Sequence, residues 1–181
     1  MGWCGPMKMR KMVILGLLVA MGCGLFVLEG ALPPIAAVPG LKLGLANIVT
    51  LLVMEWYGKK EAALALLCRI LLTSLFAGQA VYFLYSIAGG ICCFLALCLC
   101  KGAPLWAKSA LAAIAHNIGQ VSVAAVLTSA FSVYWLLLYL IIGAIISGSM
   151  VGLAAELLVR RFKSAGEGAP KIKKENEECP N

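Results

Sequence analysis

Five ionisable side chains fall inside long apolar stretches of this chain: Lys42, Glu55, Arg69, His116 and Glu156. A charge in hydrocarbon costs about 2.5–3.5 kcal/mol on insertion scales, so each of them needs a partner or a task. Polar companions accompany several of them. Asn47 and Thr50 share a face at i, i+3 beyond Lys42, and Thr73 lies one turn beyond Arg69. His116 and Gln120 are i, i+4 neighbours with Asn117 beside them. Brought together, Lys42 and Arg69 would be cationic anchors and Asn47, His116, Asn117 and Gln120 hydrogen-bonding groups of a pocket for an anionic or heteroaromatic small molecule. The same residues admit a structural reading. Arg69 could reach Glu55 across the Lys59-Lys60 turn, Lys42 could snorkel to the interface, and the amides and imidazole could bond neighbouring helices for about 1 kcal/mol each. Glu156 is placed to pair with Arg160 at i, i+4.

The elements that must position these groups are membrane helices. Of the 181 residues 62% are apolar and 13% charged, and the mean hydropathy is +0.98. A soluble domain carries about 25% charged residues, so the missing polar surface must face lipid. Six apolar runs, near 12–30, 41–57, 61–78, 81–100, 104–129 and 133–159, approach the roughly 20 residues needed to span a bilayer. The reading is an all-α integral membrane protein: a cytosolic N-terminus (1–11), a six-helix domain (12–162) and a disordered, Lys- and Glu-rich cytosolic tail (163–181). Thirteen of the fifteen basic residues fall in the N-terminus, alternate loops and tail, which places both termini in the cytosol. Arg69 then lies about 12 Å above the nearest inner turn, at a depth that the His116 group shares.

Several chemistries drop out. The eight acidic residues include no aspartate, and no GxxxxGK[ST] occurs. Carboxylate metal clusters and P-loop nucleotide hydrolysis are therefore not expected, nor is any cofactor or nucleic acid partner. Of the eight cysteines, Cys98 and Cys100 lack the further ligands of a zinc site, and the set reads as small apolar fillers. MKMRK before the first run resembles a signal peptide and Ala20-Met21-Gly22-Cys23 a poor lipoprotein box, but the run stays apolar through Leu28, which favours an uncleaved span.

Two further features bear on partners. The loop Leu32 to Gly40 is apolar and proline-broken, suited to closing over the pocket as a lid or resting in the outer leaflet. Gly16, Ala20 and Gly24 in the first run, and Ala144, Gly148 and Gly152 in the last, repeat small residues every four positions. Such stripes either admit another helix to close contact or tighten the bundle itself.

Across about residues 10–162, the strings Pro39-Gly40-Leu41-Lys42-Leu43-Gly44-Leu45-Ala46-Asn47, then Arg69, Tyr85-Ser86-Ile87-Ala88-Gly89-Gly90 and Ala115-His116-Asn117-Ile118-Gly119-Gln120, resemble the Gx transporter family. That bacterial family is also labelled heptaprenyl diphosphate synthase component I, and its members look like the six-helix substrate-binding subunits of energy-coupling factor transporters. The resemblance implies an outward-opening binding site, capped by the first loop, and a first-helix stripe against an energising module of coupling protein and ATPases. It implies uptake of a small nutrient or cofactor precursor across the bacterial cytoplasmic membrane, not catalysis. Gly16 and Gly24 stand here where that stripe usually has alanine. The alternative is a non-catalytic membrane accessory of isoprenoid or quinone synthesis.

Overall fold

Glycine sets the limits of the shortest helix. Gly44 (φ +71°) closes a turn in which Asn47 N–H donates to Gly44 O, and Gly58 (φ +98°) breaks the chain again two residues after Trp56. Both need backbone that a side chain would strain. The computed structural model describes residues 6–31, 44–78, 80–100 and 102–164. It contains α1 (Pro6–Ala31), α2 (Asn47–Trp56), α3 (Lys59–Ala77), α4 (Ala80–Leu99), α5 (Leu105–Thr128) and α6 (Tyr134–Ser164), with a 3₁₀ turn at Phe131–Val133. Among the described residues there is no strand. Four stretches are long and apolar enough to cross a membrane: Lys11–Gly30, Ala80–Leu99, Leu105–Thr128 and Phe131–Phe162.

The second expected span, 41–57, is corrected. Its helix begins at Asn47 and has ten residues, a length of about 15 Å, half the hydrocarbon thickness. The physical reason is Gly44, whose left-handed backbone stops helix from propagating toward the N-terminus. The third span exists as α3, but Lys59, Lys60, Glu61 and Arg69 dilute its hydropathy. Lys42, the proline-rich loop and the tail from residue 165, with Cys4 and Cys179, lie outside the described residues.

Successive helices run antiparallel, and α2 touches α1, α3, α5 and α6, so the short helix occupies the centre of the bundle. Val49 to Val53 are all buried. At the end of the bundle that carries the basic residues, Leu51, Leu52, Cys93, Leu97, Ala112, Ala155 and Val159 form one apolar core, closed by an edge-on contact between Trp56 and Phe162 at 5.6 Å. Val19, Cys23, Val53, Ala62 and Ala65 join α1 to α2 and α3. Lys11–Glu61 (2.5 Å), Lys108–Glu55 (3.7 Å) and Arg160–Glu156 (2.6 Å) all lie at this basic end.

The two small-residue stripes have different fates. A Cβ on Gly148 would lie 2.8 Å from Ala110 Cα, and one on Gly152 2.5 Å from Trp106 Cα, so α6 meets the α5 backbone directly. Gly16, Ala20 and Gly24 are exposed, and a Cβ on either glycine would meet nothing within 4 Å. The opposite face of α1 does the packing, with Gly22 against Val49 and Arg69.

Candidate functional site

Because α2 starts late, the centre of the bundle is filled only at the basic end. Beyond its first turn lies a cavity of about 290 Å³. Lining residues at the far ends of four helices, Glu29, Tyr82, Ala124 and Val133, mark its mouth, while Ser109, Gly148 and Val151 mark its base. Below the base lie the glycine contacts of α5 with α6 and the apolar core.

Arg69 sits at the depth where α2 begins. Both residues are about ten positions from the Tyr57-Gly58 turn, so antiparallel packing of α2 on α3 brings them level. The guanidinium donates from Nη1 to Ala46 O at 2.5 Å and from Nη2 to Asn47 Oδ1 at 3.1 Å. The side chain is 8% exposed and lines the cavity. Its alternative partner, Glu55, is instead held by Lys108, because Glu55 lies about two turns further along α2, toward the basic end. Among the described residues Arg69 closes no ion pair. Two of its five donors are spent on the protein, leaving three for a guest. The α2 N-terminus competes little for an anion, since its amides at Asn47 and Ile48 already donate to Gly44 O and Leu45 O.

On α5, His116, Asn117 and Gln120 all line the same cavity. Room for them comes from α4: a Cβ on Gly89 would lie 2.8 Å from His116 Cε1 and 3.0 Å from Gln120 Cγ. Gly119 rests on the Ala88 carbonyl, which keeps α4 and α5 close enough for this fit. Asn117 Nδ2 donates to Leu140 O at 3.0 Å, so it also bridges α5 to α6. Thr73 bonds back to Arg69 O at 2.8 Å. Of the six sequence-derived candidates, the structure thus gathers Asn47, Arg69, His116, Asn117 and Gln120 around one space, and Lys42 falls outside the described residues.

The cavity also contains groups that sequence reasoning missed. Glu29 is 9% exposed and accepts Gly44 N–H at 2.6 Å, tying the end of α1 to the turn before α2. Phe26, one turn before it, meets Tyr82 edge-on with centroids 5.8 Å apart, and Tyr85 lines the wall one turn further along α4. The i, i+3 spacing of Phe26 with Glu29 and of Tyr82 with Tyr85 was available as a signal. Among the described residues no three His, Cys, Asp or Glu side chains converge to hold a metal ion.

A family model described as heptaprenyl diphosphate synthase component I matches residues 18–158. The chain belongs to this family. Every described lining residue from Phe26 to Val151 falls within the matched region, so the cavity is built wholly from the part of the chain that carries the component I pattern. No curated protein and no solved structure matches the chain.

Proposed function

We propose that this component I family member is a membrane-embedded, substrate-binding subunit for uptake of a small nutrient or cofactor precursor, energised by a separate coupling protein and ATPases. The observation that carries the reading is Arg69, a buried cation with spare donors beside a cavity. A purely structural arginine in an apolar bundle would be expected to close an ion pair to offset its burial. The exposed stripe of α1 is a surface on which a partner helix could pack without disturbing the cavity. Asn47, His116, Asn117 and Gln120 complete the described binding set, and Lys42 stays in it as a candidate from the sequence alone.

The test is retention of small molecules. Purified full-length protein, incubated with a bacterial metabolite extract and desalted, should release a compound on denaturation that Arg69→Ala retains about tenfold less or worse, as for a lost charged hydrogen bond of about 1.5–3 kcal/mol. Unfolding temperatures measured without added extract separate binding from folding. An Arg69→Ala protein that melts far earlier yet retains the compound would make Arg69 part of the scaffold and remove the site.

The orientation belongs to the same reading: the basic end faces the cytosol of a bacterial plasma membrane and the mouth faces out. In a cysteine-free background, single cysteines at Ala36 and Ser132 should react with an impermeant thiol reagent on intact cells, while Cys4 and Cys179 alone should not. Labelling of Cys179 on intact cells would invert it.

The family description favours a second reading, a non-catalytic membrane accessory of prenyl diphosphate synthesis. Recovery of a prenyl lipid from the retention experiment would select that reading. The buried Arg69 and amide groups make an uncharged prenyl chain the poorer match.

A further inference from the structure

Glu29 is the second buried charge on the cavity wall, and a purely anionic guest would be repelled by it. One carboxylate oxygen holds Gly44 N–H, and the other has no hydrogen-bond partner among the described residues. Both line the same cavity, yet the two groups stay beyond the 4.0 Å of an ion pair. The backbone holds them apart. Arg69 is fastened to Ala46 O and Asn47, Glu29 to Gly44 N–H, so the turn between the two attachment points is clasped from both sides. Opposite charges kept from collapsing onto each other in a low-dielectric cavity each retain capacity for a partner of the other sign.

We propose that the guest is zwitterionic: an anionic group taken by the spare donors of Arg69 and a protonated nitrogen taken by Glu29. This inference rests on the substrate-binding reading above. Charge balance among the described lining residues supports it, since Arg69 and Glu29 sum to zero and a guest of zero net charge pairs both without leaving either buried charge uncompensated. The surroundings of Glu29 support it as well. Phe26 lies one turn before it on α1, and Tyr82 and Tyr85 line the same cavity, aromatic rings of the kind that attract a cationic nitrogen. Asn47 lies beside Arg69, and the amides of Asn117 and Gln120 line the same cavity, groups that suit an anion's remaining lone pairs.

The retention experiment with the metabolite extract is repeated with Glu29→Gln, which keeps an acceptor for Gly44 N–H and removes only the charge. Mass spectrometry in both ion modes should identify a retained compound bearing both an acidic group and a basic nitrogen. Its retention should fall about tenfold or more in Glu29→Gln as in Arg69→Ala. A wild-type guest without such a nitrogen, or equal retention by Glu29→Gln, overturns the zwitterion while leaving the binding site standing. No retained compound, or full retention by Arg69→Ala, overturns the substrate-binding reading itself. If Glu29→Gln does not fold, the composition of the compound held by the wild type decides alone.

Discussion

Gly152→Val should yield no monodisperse folded protein, whereas Gly16→Val should purify and melt like the wild type. A Cβ at 152 would sit 2.5 Å from Trp106 Cα and 2.8 Å from Leu105 O. These are backbone atoms of a neighbouring helix, so relief requires α5 and α6 to separate along a contact that Gly148 extends. Overpacking costs typically run about 1–3 kcal/mol, and a branched side chain against backbone belongs at or above the top of that range. Valine's better helix propensity returns only a few tenths of a kcal/mol. At Gly16 the same side chain meets nothing within 4 Å of its Cβ. Size-exclusion profiles and thermal unfolding in detergent read both variants. Wild-type behaviour from Gly152→Val would mean that the tight α5–α6 crossing is wrong.

Under the proposed transport role, Ala20→Leu should abolish ATP-dependent uptake while leaving ligand retention by the isolated subunit intact. Ala20 is exposed between Gly16 and Gly24, on the side of α1 away from Val49 and Arg69. Residues at i, i+4 and i+8 drift only about 40° per step, so the three form one continuous flat face. A leucine there touches no element of this bundle, but it would hold a partner helix off the surface by the thickness of a side chain. Uptake of the retained compound, measured in cells that also contain the energising proteins, is expected to drop to background. Undiminished uptake would show that no partner uses this face. Joint loss of retention and of thermal stability would show that the face is packed within the protein after all.

The depth shared by Arg69 and the His116 group was legible because ionisable and amide residues stand out in apolar runs, and 1.5 Å per residue converts position into height. The late start of α2 was not. Leu41, Leu43, Leu45 and Ala46 are as apolar as the helix they precede, and hydropathy does not register that Gly44 adopts positive φ. Arg69's partner stayed open for a related reason, since either end of α2 was within reach until the register of α2 against α3 was known. Glu29 escaped notice at the edge of an apolar run, where a carboxylate looks solvated. Its burial comes from a backbone amide fifteen positions later in the chain. The small-residue stripes on α1 and α6 are alike as spacing and opposite in use, because periodicity describes a face and says nothing of what lies against it.

The half-length α2 bears on how crossings are counted. It descends from mid-depth to the basic end and α3 climbs back, so together they are an excursion that leaves and returns to the same side. Counting them as two crossings or as none changes the total by an even number. In the proposed topology the direction of α4, α5 and α6 is therefore indifferent to the choice, and Pro6 and Ser164 would emerge on the same surface under either count. Ambiguity over α2 is confined to the pair it forms with α3, and the sidedness of the cavity mouth does not inherit it.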